Sequence, residues 1–233
     1  CDWSSDVCSS DLIQLGLLYY NDNQPEKALA AYKQVISNYP GSEEAKIALQ
    51  DLKSVYIDLN DINAYASYVN SIGGNIRLEV GEQDSLTYIA AEKLFMRGDN
   101  DGARRSLINY LQTFPEGAFS SNANFYLGSI AFAKKEFDEA IQRFKSVIAS
   151  GDTKFLEESV ARTAEIEYLS KDYPAALESF KRLQIVAENP ENRQAARLGI
   201  MRCALQTGQQ KDALLAADEL LKEPKLSPEQ IGR

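Results

Sequence analysis

Apolar residues recur at three- and four-residue spacing along nearly the whole chain, as in Ala140, Ile141, Phe144, Val147 and Ile148. That period places one apolar stripe on each of a series of amphipathic helices. Polar, turn-forming clusters separate the stripes, among them Asn21-Asp22-Asn23-Gln24-Pro25, Arg97-Gly98-Asp99-Asn100 and Thr207-Gly208. Pro25 and Pro174 suit the first turn of a following helix, where a missing N–H costs nothing. Pro40, Pro115 and Pro190 read as exits from helices.

The pattern of large and small apolar positions itself repeats, at intervals of roughly 34–41 residues. One copy has Leu15-Gly16, Tyr19, Ala28, Tyr32, Val35 and Pro40. Another has Leu127-Gly128, Ala131, Ala140, Phe144 and Val147. Others carry Ala103, Leu107, Tyr110 and Pro115, then Ala176, Phe180 and Leu183, then Ala213, Ala217 and Leu220. Aligned on these anchors, helical hairpins begin near Ser9, Glu43, Asp84, Ser121, Glu157 and Gln194. The second is degenerate, with Ile62 where a small residue belongs. Glycine and alanine let two helices approach closely, and the large residue four positions after Ala28, Ala103, Ala140 and Ala176 fills the space beside them. A single hairpin cannot cover its own apolar face, so neighbours must stack.

The anchors resemble the tetratricopeptide repeat superfamily over nearly all of Ser9–Lys225. The resemblance implies an all-α fold, a right-handed α-solenoid of about six helix hairpins. Residues 13–72 form repeats 1–2 and 84–226 repeats 3–6, joined by a connector over 73–83. Within it Gly73-Gly74 ends a helix, and Ile76, Leu78 and Val80 alternate as a short extended piece would. Residues 227–233 read as a helix start, with Ser227 as N-cap and Pro228 behind it. The junctions Asn38-Tyr39-Pro40-Gly41-Ser42 and Thr113-Phe114-Pro115-Glu116-Gly117-Ala118-Phe119 resemble those of large bacterial envelope repeat proteins of the outer-membrane-assembly lipoprotein and Tol–Pal coordinator type. This likeness implies a periplasmic or outer-membrane-associated location.

Tetratricopeptide repeats take their ligands on a concave face lined by the first helix of each hairpin. Carried onto this chain, the groove positions include Tyr20, Asp51, Tyr88, Glu92, Phe95, Asn122, Phe125, Phe132, Glu165, Tyr168 and Arg202. The two-carboxylate clamp of chaperone-tail adaptors needs Lys and Asn where this chain has Ile13, Leu17, Tyr88 and Glu92, so that partner class is disfavoured. Tyr20, Phe95, Phe132 and Tyr168 share one repeat position. They form either a row of peptide anchors or packing between neighbouring repeats.

Residues 1–12 (Cys1-Asp2-Trp3-Ser4-Ser5-Asp6-Val7-Cys8-Ser9-Ser10-Asp11-Leu12) match, residue by residue, the in-frame translation of a common short-read sequencing adapter. They are set aside from fold reasoning as a tag would be, and the array is read as a piece of a longer protein cut at both ends. Removing them takes away two of the three cysteines and the only tryptophan. It leaves Cys203 as a lone thiol, read as a small buried hydrophobe beside Ala204.

Composition mostly excludes. The chain has 34 acidic against 25 basic residues, a formal charge of −9, which repels phosphate backbones and disfavours nucleic acid. No apolar run approaches the roughly 20 residues that span a bilayer. Histidine is absent, removing Ser-His-Asp and Cys-His catalysis and every histidine metal centre. The acidic pairs Glu43-Glu44 and Glu157-Glu158 fall at helix starts, where the macrodipole favours them. Glu165 and Glu167 do not share a helix face and are read as solvated. Asp99 and Asp101 lack the rest of a calcium loop. No enzyme, metal or cofactor is expected, and the partner is a protein or peptide. The chain reads as an interaction scaffold. The alternatives are a recruiting arm of an enzyme whose catalytic domain lies outside this segment, or a glycan-binding envelope module.

Overall fold

The computed structural model describes residues 8–73 and 77–222. They contain twelve α-helices and no strand, and the chain divides into two compact units, Cys1–Phe119 and Ser120–Arg233. The first unit holds α1 (Ser9–Asn21), α2 (Pro25–Asn38), α3 (Glu43–Asp58), α4 (Ile62–Ile72), α5 (Val80–Met96) and α6 (Asn100–Thr113). The second holds α7 (Ser120–Ala133), α8 (Phe137–Ser150), α9 (Leu156–Leu169), α10 (Tyr173–Val186), α11 (Pro190–Gln206) and α12 (Gln210–Lys222). In each unit three consecutive hairpins pack on one another, and the core runs between them. Leu12, Tyr32, Val35, Leu52, Val55, Tyr65 and Leu86 fill it in the first unit. Val160, Ala176, Phe180, Leu183, Ile200 and Cys203 do so in the second.

All six hairpins turn in the same way. After each first helix one residue takes a left-handed backbone: Asn23, Asn60, Gly98, Lys135, Lys171 and Gly208, with φ between 55° and 82°. The next N–H then closes back onto the helix end, Gln24 to Tyr19 O, Asp61 to Tyr56 O, Asp99 to Leu94 O, Glu136 to Ala131 O, Asp172 to Glu167 O and Gln209 to Ala204 O, at 2.8–3.0 Å. This is the Schellman closure, which satisfies carbonyls the helix leaves open. It is present in the degenerate second hairpin too. At Lys135 and Lys171 a side chain sits where glycine is sterically favoured. Lys171→Gly, less its own entropy cost, should therefore stabilise the second unit by about 0.5–1 kcal/mol. Urea unfolding of the two variants side by side checks it, and a glycine that destabilises would contradict the turn geometry.

Small residues at the helix crossings have the role expected of them. A Cβ on Gly16 would lie 2.5 Å from the Tyr32 ring, and one on Gly128 2.8 Å from the Phe144 ring. Asp99 caps α6 by accepting the Gly102 N–H at 2.9 Å, so it serves a turn between helices. Cys203 is buried, and burial pushes its thiol pKa up, in keeping with a small core residue.

Several expectations are corrected. The connector is shorter than residues 73–83, because α5 begins at Val80, a turn before Asp84. Val80 is helical rather than extended; Ile76 lies outside the described residues. Pro190 does not mark an exit but opens α11, capped by Asn189. Residues 9–12, set aside on sequence grounds, form the first turn of α1, and Leu12 is buried. Residues 1–7 and the helix start expected at 227–233 lie outside the described residues. No helix among those described is long and apolar enough to cross a membrane.

Candidate partner-binding groove

In the first unit one expected groove position, Tyr20, is tied by hydrogen bonding to the neighbouring first helix. The Tyr20 hydroxyl of α1 donates to Asp58 of α3, and Lys93 of α5 donates to the other Asp58 oxygen at 2.6 Å. The bond to Asp58, then burial, pushes the Tyr20 pKa up to about 12. Burial alone would raise Asp58, but hydrogen bonds from Lys93 and Tyr20 outweigh it and hold the carboxyl below its ordinary value. Asp51 is half-buried, and burial raises its pKa. Glu92 accepts the Tyr88 hydroxyl at 2.5 Å, and Phe95 is half-buried.

Two of the expected residues offer little surface. Tyr88 is 2% exposed and Asn122 9%. Tyr88 is covered by Phe119, whose ring stacks on it at 4.4 Å. Phe125 meets the same fate from Phe155, stacked at 4.2 Å, although it stays half-buried. In both cases the segment leading into the next hairpin lays an aromatic over the N-terminal half of a first helix.

The second unit has an open cleft. Its volume is about 400 Å³, and Glu158, Ala161, Arg162, Glu165, Tyr168 and Leu169 of α9 line one side. Asn192, Ala195, Leu198, Gly199 and Arg202 of α11 line the other, over Phe180 and Leu183 of α10. Glu165, Tyr168 and Arg202 are thus brought together in one cleft. Its floor is tightly packed: Gly199 lets α11 lie close on α10, since a Cβ there would lie 2.5 Å from the Phe180 ring. Tyr168 meets Phe180 edge-on at 6.4 Å and Tyr173 at 5.7 Å. Arg162 binds Glu158 at 2.8 Å and Glu165 at 3.0 Å while its guanidinium lies 4.9 Å over Phe132. The shared position of Tyr20, Phe95, Phe132 and Tyr168 is half-buried in every copy.

The acids of α9 are not all solvated. Glu167 is 5% exposed, accepts the Ser179 hydroxyl at 2.6 Å and pairs with Lys145 at 3.0 Å. Glu157 accepts N–H groups of Glu188 and Asn189 and the side-chain amide of Asn192, at 2.8, 3.2 and 2.6 Å. Burial would raise the Glu157 pKa; these bonds outweigh it and lower it. Glu157 therefore pins the α10–α11 turn to the start of α9 and sets the separation of the cleft walls. Sequence reasoning missed Gly199 and Phe180 as cleft-shaping residues, since Gly199 lies off the repeat pattern.

A tetratricopeptide repeat family model matches residues 12–42, and a second tetratricopeptide repeat model matches residues 90–153. These two stretches are tetratricopeptide repeats. No curated protein matches it. Among solved structures, a MamA protein (AMB-1) is similar at 13% identity over 97% of this chain and 98% of its own, with a TM-score of 0.52. PilW, described as a widely conserved type IV pilus biogenesis factor, is similar at 15% identity over 97% and 98%, with a TM-score of 0.48. PilF of Pseudomonas aeruginosa follows at 16% identity over 91% and 90%, with a TM-score of 0.46. The fold of the tetratricopeptide repeat chain is all-α, as its anchors imply, and such repeats mediate protein interactions.

Proposed function

We propose that this tetratricopeptide repeat chain is a non-catalytic interaction scaffold whose α9–α11 cleft holds a segment of a partner protein. The observation that carries the reading is the cleft itself. It is concave, lined by two first helices, apolar in its floor and edged by a few polar groups, the composition expected of a recognition site. Its N-terminal ends are joined by the Asn192–Glu157 bond, and its walls run from Glu158 to Leu169 and from Asn192 to Arg202. At 1.5 Å per residue that is a length of about 15 Å, enough for about four or five extended residues. The junction motifs support a place in a bacterial envelope, periplasmic or outer-membrane-associated.

A random peptide library displayed against the full chain tests the reading. Ala195 is exposed in the wall of the cleft, so Ala195→Trp fills the cleft without disturbing the core. Peptides enriched on the original chain should bind this variant about tenfold or more weakly, while Arg182→Trp on the exposed side of α10 leaves them unchanged. Equal binding to the original and to Ala195→Trp would overturn the cleft as the site. Recovery of peptidoglycan fragments with no peptide enriched would favour the glycan-binding alternative.

A further inference from the structure

The cleft has an uneven distribution of unused hydrogen-bonding groups. Both of its carboxylates are taken, since Glu158 and Glu165 are bound by Arg162. Among the described residues Arg202 makes no ion pair, and the Tyr168 hydroxyl has no hydrogen-bond partner. These two donors stand on opposite walls, Tyr168 on α9 and Arg202 on α11, both at the C-terminal end of the cleft. Between them and the Glu158–Asn192 end the floor is apolar, with Leu198, Gly199, Phe180 and Leu183, beside the paired Arg162 and Glu165 of the α9 wall. A guanidinium without a partner, across the cleft from a phenol whose O–H is free to donate, favours an acceptor that carries negative charge.

We propose that the cleft, read as above as a partner-binding site, selects an extended protein segment in which an apolar side chain precedes an aspartate or glutamate. The apolar side chain enters over Phe180, Leu183 and Gly199. The carboxylate reaches Arg202 and Tyr168. This fixes the direction of the segment, with its acidic residue toward the C-terminal ends of α9 and α11. The carboxylate belongs to a side chain rather than to a chain terminus, because apolar surface continues past Arg202. Leu169 is 54% exposed and Leu205 60%, and a segment that runs on covers them, whereas one that stops at Arg202 leaves them in water.

The test uses the same display selection on the full chain, original and Arg202→Glu. Arg202 is exposed and outside the core, so the variant keeps the helical fold, which circular dichroism verifies. Peptides enriched on the original chain should share an acidic residue a few positions after an apolar one. Arg202→Glu should weaken them about tenfold and enrich peptides with lysine or arginine at that position instead. Tyr168→Phe should weaken them by a smaller factor without changing the preference. Amidating the peptide C-terminus should leave affinity unchanged. Peptides that depend on the open cleft, by loss on Ala195→Trp, but show no acidic residue and bind Arg202→Glu equally would overturn the proposal and leave the groove intact. Loss of binding on amidation would overturn the side-chain assignment. Failure of every peptide to depend on the cleft would overturn the proposed function itself.

Discussion

Phe144→Ala should destabilise the second unit by about 3–5 kcal/mol, the largest loss expected of any single truncation in that unit. The ring is fully buried among Ala131, Ala140 and Ile166, with Phe125 at 6.1 Å. It lies where a Gly128 side chain would be, 2.8 Å from that missing Cβ. Alanine removes the ring, and the two helix backbones cannot close the gap, because their separation is also set by α9 packed against α8. The converse change, Gly128→Ala, overfills the same space and should cost about 1–3 kcal/mol, offset by about 1 kcal/mol of helix propensity. A repeat array need not unfold in one step. The loss is therefore read by urea titration together with hydrogen exchange of α7 and α8. A change below about 1 kcal/mol, with exchange of α7 and α8 unaltered, would contradict the packing account.

The second large effect is expected at Tyr110 in the first unit. Tyr110→Phe keeps the ring and removes one oxygen, so the whole loss is hydrogen bonding. That oxygen donates to Asp84 Oδ1 at 2.6 Å and accepts the Phe119 N–H at 3.0 Å, while Asp84 Oδ2 accepts the Ala118 N–H at 2.9 Å. Tyr110 and Asp84 are both buried. Taking away the phenol oxygen strips a buried carboxylate and a backbone amide of a partner at once, which should cost about 1–3 kcal/mol. The segment 117–119 should exchange its amides faster, and Phe119 should loosen from Tyr88. An unchanged melting temperature with unchanged exchange at Ala118 and Phe119 would show that this junction is held by something else.

The hairpins were legible because helix crossing demands a small residue opposite a large one, and that demand writes itself at Gly16–Tyr32, Gly128–Phe144 and the alanine anchors. First helices begin at Ser9 and Glu43 as read, and within one residue of Ser121 and Glu157. The starts at Asp84 and Gln194 were each placed about a turn late, since α5 and α11 extend at their N-termini beyond the repeat pattern, α11 through a proline that is equally at home after a helix or at its first position. The left-handed turns were legible at Asn23, Gly98 and Gly208 and invisible at Lys135 and Lys171, where the closure overrides the preference of the residue. In the groove, Glu165, Tyr168 and Arg202 come together along one cleft. Tyr88 and Asn122 are buried, because their covering comes from tertiary contacts. Phe119 over Tyr88 is one such contact, and its position in a loop carries no periodic signal. Glu157 and Glu167 looked like surface acids because their partners lie on other helices or turns: Asn192 and its neighbours for Glu157, and Lys145 and Ser179 on either side of Glu167.

A partner segment held between first helices, in the cleft of α9 and α11, shields both helices from solvent. Hydrogen exchange of the full chain, with and without a saturating selected peptide, measures this most directly. The account predicts added protection over residues 158–169 and 192–202, lost in Ala195→Trp. Protection confined to α8, α10 or α12, with those two stretches unchanged, would contradict it.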